Sequence, residues 1–103
     1  DVFVNVAGGL KIDDPGIDLG IAASILSSYQ NIALGSKQVF IGEIGLSGEI
    51  RSVSRIDQRV AEAAKLGFEE VILSSKSIKG LTKSGIKLQG VDTIVELSEF
   101  LFG

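Results

Sequence analysis

From residue 15 to residue 29 the chain offers almost no polar face. Ile17, Leu19, Ile21, Ala22, Ala23, Ile25 and Leu26 fall all round the helical wheel. A helix of this kind has to be covered on several sides, so it is predicted to be the central helix of a layered domain. Asp14 followed by Pro15 marks its start: an aspartate accepts the free amides of a first turn, and proline needs no donor at the first helical position.

Strand signals lie on both sides of that helix. Val2, Val4 and Val6 alternate with Phe3 and Asn5 until Gly8-Gly9 interrupts the pattern. Residues 38–45 and 48–53 read as two strands joined through Leu46-Ser47-Gly48, a hairpin. Ser54 with Asp57 resembles a capping box with Asp in place of Glu, and Ile56, Val60, Ala63 and Ala64 then recur at helical spacing up to Gly67. A short strand over 70–74, a helical turn over 76–82 and a strand over 86–91 follow. Asp92 or Thr93, with Glu96 behind, caps a last helix running through Phe102.

That order predicts an α/β (α+β) fold, a mixed sheet packed with helices, and 103 residues suit a single domain spanning 1–103. The chain opens inside its first strand pattern, so it is expected to be a piece of a longer protein.

Composition removes several chemistries. With no cysteine and no histidine, the chain has no disulfide, no thiolate or conventional zinc site, no cysteine nucleophile and no Ser-His-Asp triad. No Gly-x-x-x-x-Gly-Lys-Ser/Thr loop is present to cradle a nucleotide, and Gly42, Gly45 and Gly48 fit turn chemistry better than a dinucleotide fingerprint. The sequence carries no long apolar run and no signal peptide pattern, and the expected setting is the cytoplasm, without a membrane partner.

The net charge of −3 conceals a division along the chain. Residues 1–50 hold two basic and six acidic side chains, residues 51–91 eight basic and four acidic, and residues 92–103 three acidic. A basic middle third suits either a surface for an anionic partner or one that scattered lysines simply keep soluble, the commoner case. Arg51, Arg55 and Arg59 fall at the end of the hairpin and on successive turns of the second helix, where Arg55 and Arg59, four apart, share a face. Lys76, Lys79, Lys83 and Lys87 form a looser group that reads as solvated surface. The single tyrosine and five phenylalanines read as core, so stacking on bases is not expected.

Three stretches carry a family likeness: residues 5–11 (NVAGGLK), 14–22 (DPGIDLGIA) and 42–51 (GEIGLSGEIR), continued by 59–68 (RVAEAAKLGF). They resemble the C-terminal Lon-protease-like domain of the bacterial DNA-repair protein RadA, also called Sms. Magnesium-chelatase-like proteins share the general fold but match the pattern less well. The resemblance implies a Lon protease-like, or ribosomal protein S5 domain 2-like, fold. It also implies a parent with a zinc finger and an ATPase core upstream, so that ATP, Mg and Zn belong to those segments and no cofactor to this one. The parent is implied to act as a homo-hexameric motor for branch migration, beside a RecA-type recombinase, with this domain serving assembly and DNA binding. Lys11, inside the first motif, joins Arg51, Arg55 and Arg59 as a DNA-binding candidate. Ser52 stands where the family often has proline.

True Lon proteases use a serine at the start of the central helix and a lysine at the start of the next. Aligned on the Gly20-Ile21-Ala22 run and on Gly42-Glu43-Ile44, those positions fall on Asp18 and Asp57. A carboxylate lacks the hydroxyl nucleophile, and a second carboxylate is a base of the opposite charge, so the resemblance implies no catalysis here. Each aspartate also falls in a first helical turn, where negative charge stabilises by about 0.3–1 kcal/mol. Two readings compete with DNA binding: a Lon-like serine protease with an unrecognised Ser and Lys pair, and a purely structural oligomerisation module.

Overall fold

The computed structural model describes residues 15–30, 35, 37–81 and 85–103. The strand expected at 2–6, the Asp14 cap and the candidates Lys11 and Lys83 lie outside the described residues. A 3-10 turn at Pro15–Ile17 leads into α1 (Asp18–Gln30), followed by β1 (Gln38–Ile41), β2 (Glu43–Ile44) and β3 (Ile50–Arg51). Then come α2 (Ile56–Lys65), β4 (Glu70–Ser74), a 3-10 helix (Ser75–Leu81), β5 (Lys87–Val91) and α3 (Ile94–Phe102). The class is α/β, as the order of sequence signals predicts.

The main sheet is parallel, in the order β1-β4-β5, with Val39 opposite Val71 and Val71 opposite Leu88. Strands buried on both faces read as unbroken apolar runs, and here each face takes alternate residues. Val39, Ile41, Val71 and Leu73 point to one side, where they pack with Val60 and Ala63 of α2 and Leu81 of the 3-10 helix. Phe40 and Ile72 point to the other side, where they meet Leu19 and Ala23 of α1 and Leu97 of α3. The sheet is thus the middle of three layers, and α1 is covered by it and by α3.

The expected strand over 38–45 divides at Gly42, and among the described residues the parallel and antiparallel pairings fall in separate sheets. The Gly42 N–H donates to the Gly16 carbonyl and its own carbonyl accepts from Leu19, both at 2.9 Å, so its backbone is committed to the start of α1 and not to a ladder. A side chain at Gly42 would press on Ile50 and Leu19, which explains the glycine. Beyond it, β2 pairs antiparallel with β3, Glu43 opposite Arg51. The second predicted strand, 48–53, shrinks to two residues because its neighbours bond elsewhere. Ile94 donates to the Gly48 carbonyl, and Ile50 donates to the Asp92 carbonyl. The hairpin is therefore anchored on the first turn of α3.

The two predicted helix caps that fall on described residues have opposite outcomes. Thr93 caps α3, its hydroxyl accepting from the Glu96 amide at 3.1 Å while the Glu96 carboxylate accepts from the Asp92 amide at 2.7 Å. At α2 the residue before the helix is Arg55, not Ser54, and no side chain caps it. Asp57 is one methylene shorter than the glutamate of a capping box, and its carboxylate accepts instead from the adjacent Gln58 amide at 2.9 Å.

Candidate nucleic-acid interface

The three described α-helices all begin at one edge of the sheet, beyond the C-terminal ends of its strands. α1 is tied there by the Leu19–Gly42 bond and α3 follows directly from β5. The approach to α2 is tied there by the Ser77 hydroxyl, which donates to Ser52 Oγ at 2.9 Å just past the end of β4. In open α/β sheets this edge is where ligands are met.

Asp18 and Asp57 both stand on this edge, but they head helices packed on opposite faces of the sheet. The Asp18 carboxylate accepts from the Ile44 amide at 3.4 Å, a long bond that braces α1 against β2. Asp57 is exposed and engaged with its own helix. No hydrogen bond joins the two. Among the described residues, no three acidic side chains are grouped so as to hold a metal ion.

The basic candidates divide into two sets. Arg51, on the hairpin, reaches the Glu49 carboxylate through Nη2 at 2.6 Å and Nε at 3.0 Å. The Arg51 hydrogen bond is the main reason the Glu49 carboxyl is held below its ordinary value, and the same bond raises the Arg51 guanidinium. Residues 49 and 51 are two apart in an extended segment and so share a face, a signal present in the sequence but not drawn from it.

The second set lies on the other face of the sheet. Arg55 sits in the left-handed region at φ 57°, ψ 37°, with its side chain exposed. A non-glycine residue there is strained, and such strain is common at sites that contact ligands. Arg59, one turn on, donates Nε to the Ser54 carbonyl at 3.0 Å. The 3-10 helix packs beside α2 in the same core cluster, and it carries Lys76 and Lys79 into solvent. Their spacing of three places them on one side of a 3-10 helix. Arg55, Lys76 and Lys79 make no side-chain hydrogen bond or ion pair among the described residues. Lys87 differs, pairing with Glu70 at 3.6 Å on β5. The looser lysine group therefore splits, two of its three described members joining the arginines beside α2.

A family model described as subunit ChlI of Mg-chelatase matches residues 1–77. The chain belongs to this family. Beyond the ChlI match, similarity to DNA repair protein RadA continues across the whole chain. In Halalkalibacterium halodurans that protein is 55% identical over 104 residues, covering 100% of this chain and 23% of the relative. In Bacillus subtilis it is 50% identical over 97 residues, covering 93% and 21%. In Streptococcus pneumoniae it is 45% identical over 103 residues, covering 99% and 24%. The chain thus spans about a quarter of the length of these RadA relatives. The resemblance read from residues 5–11, 14–22 and 42–51 extends through β5 and α3, which lie outside the ChlI match.

Proposed function

We propose that this chain is the non-catalytic Lon-like domain of a RadA-like DNA repair and recombination ATPase, serving DNA binding and hexamer assembly during branch migration. The observation that supports it is the open basic surface on the α2 side, where Arg55, Lys76 and Lys79 extend into water. Cations spaced along one face suit a phosphate backbone, and they position without reading sequence. The carboxylates at positions 18 and 57 support the loss of proteolysis, since Asp18 has no hydroxyl to attack with and serves as a brace. Exposed Ile25 and Val95 on the α1 and α3 layer, and Leu46 at the hairpin tip, support the assembly role. In this reading ATP, Mg and Zn act upstream in the parent, a RecA-type recombinase is a partner, and the setting is cytoplasmic. Among the described residues no helix is long and apolar enough to cross a membrane.

The test is binding of a fluorescein-labelled DNA duplex at several salt concentrations, beside the R55E/R59E variant. Binding is expected to weaken with salt at a logarithmic slope of about −0.9 per neutralised phosphate, and to be lost in the variant. No binding by the unaltered chain would leave assembly as the whole of the role.

A further inference from the structure

The hairpin holds one carboxylate against three donors. Glu49 Oε1 accepts from the Ser47 amide at 3.0 Å, and Oε2 accepts from Nε and Nη2 of Arg51. The carboxylate lies over Gly45, in space that any side chain at that position would need. A guanidinium fork plus a backbone N–H beside a glycine is the donor set that proteins use for oxyanions. Here the oxyanion is the chain's own.

We propose that the Ser47 amide and the Arg51 guanidinium form an oxyanion site which Glu49 fills in the free chain and which a DNA phosphate takes over on binding. This rests on the DNA-binding reading above and adds a regulatory contact to it. Three features favour the exchange. Side-chain exposures of 54% for Arg51 and 39% for Glu49 leave the pair in water, where ion pairs are weak and readily remade. The guanidinium fits phosphate in the same forked geometry as carboxylate, so Arg51 keeps its shape when the partner changes. Glu43, opposite Arg51 across the hairpin, adds a second negative charge, so the free hairpin is not attractive to a polyanion until Glu49 moves away. Arg51 therefore contributes little to the first encounter and engages a phosphate only once Glu49 has moved away.

The test is a double-mutant cycle on the 103-residue chain, read by duplex binding across a salt series. Glu49→Gln keeps a carbonyl oxygen for the Ser47 amide and removes the charge that holds Arg51; matching thermal melts establish that the fold is unchanged. E49Q is expected to bind duplex about threefold to tenfold more tightly at low salt, with a salt slope steeper by about 0.9. That gain is expected to vanish in E49Q/R51Q. A gain that survives without Arg51 would reflect simple loss of repulsion and overturn the exchange. So would E49Q binding no better than the unaltered chain while R55E/R59E abolishes binding, and in that case the DNA reading stands. If neither the unaltered chain nor E49Q binds duplex, the DNA reading and the exchange both fall.

Discussion

The two faces of the parallel sheet are packed alike, with fully buried side chains on each, yet their polar rims are finished in opposite ways. On the α1 and α3 side most groups at the strand ends answer one another, the buried Asp92 Oδ1 excepted. Asp18 takes the Ile44 amide, Thr93 takes the Glu96 amide, Glu96 takes the Asp92 amide, and Glu49 holds Arg51. On the α2 side the helix starts from a left-handed arginine without a side-chain cap, and Arg55, Lys76 and Lys79 extend into solvent. Cohesion comes from the core on both sides, and one rim adds to it while the other keeps strain and unpaired charge. A surface with strain and open charge fits contact with something outside the domain.

The comparison breaks if the two core faces differ. Phe40→Ala on the α1 side should cost about 3–5 kcal/mol and Leu73→Ala on the α2 side about 2–5 kcal/mol, since both side chains are fully buried. Urea unfolding followed by circular dichroism measures both. A small loss on the α2 side alone would mean that this whole layer, not only its rim, is loosely held.

The rims should separate where the cores do not. Thr93→Ala removes a hydroxyl that caps α3 and should cost about 1 kcal/mol. Ser54→Ala removes a hydroxyl that caps nothing and should stay within about 0.5 kcal/mol. The same unfolding experiment ranks them, and equal losses would show that Ser54 carries a cap in solution.

Those two residues also mark how far the sequence could be read. Period and composition located α1, α2, β4, β5 and α3, because a two-sided sheet needs unbroken apolar runs and its helices need apolar stripes. Thr93 was legible because its glutamate partner has the length the motif requires. Ser54 misled because aspartate at the partner position looks equivalent in sequence and is too short in space. Gly42 was visible as a glycine, but the bonds that end β1 come from Gly16 and Leu19, far away along the chain, and no local pattern encodes them. Likewise Arg51 and Arg55 look equivalent in a charge count, and the i, i+2 spacing of Glu49 and Arg51 in an extended segment is what separates them.

Arg55 sharpens the comparison further. A non-glycine residue in the left-handed region carries a cost of roughly 1–2 kcal/mol, and glycine there relieves it while losing about 0.5–1 kcal/mol of chain entropy. Arg55→Gly should therefore leave stability unchanged or raise it by up to about 1 kcal/mol. Duplex binding by the same variant should weaken, which would place the strain on the side of contact and not of folding. A clear loss of stability would instead assign Arg55 to holding α2.

The smallest effect concerns the closed rim. Arg51 holds the Glu49 carboxyl below its ordinary value, chiefly by its hydrogen bond, with the Ser47 amide helping. A carboxyl lowered on folding stabilises the folded chain above its unfolded value, and that contribution is lost as pH falls through the lowered one. The pair is open to water, so the change in overall stability should be slight and the local signal the better measure. Titrating the Glu49 side-chain carbonyl by NMR should give a midpoint below the ordinary glutamate value, moving back towards it in Arg51→Gln. The midpoint should also rise in high salt, because screening weakens an exposed pair. A midpoint unmoved by Arg51→Gln would mean that the hairpin backbone alone holds the carboxylate, and the contrast between a self-satisfied rim and an open one would then rest on the α3 cap and the Asp18 brace.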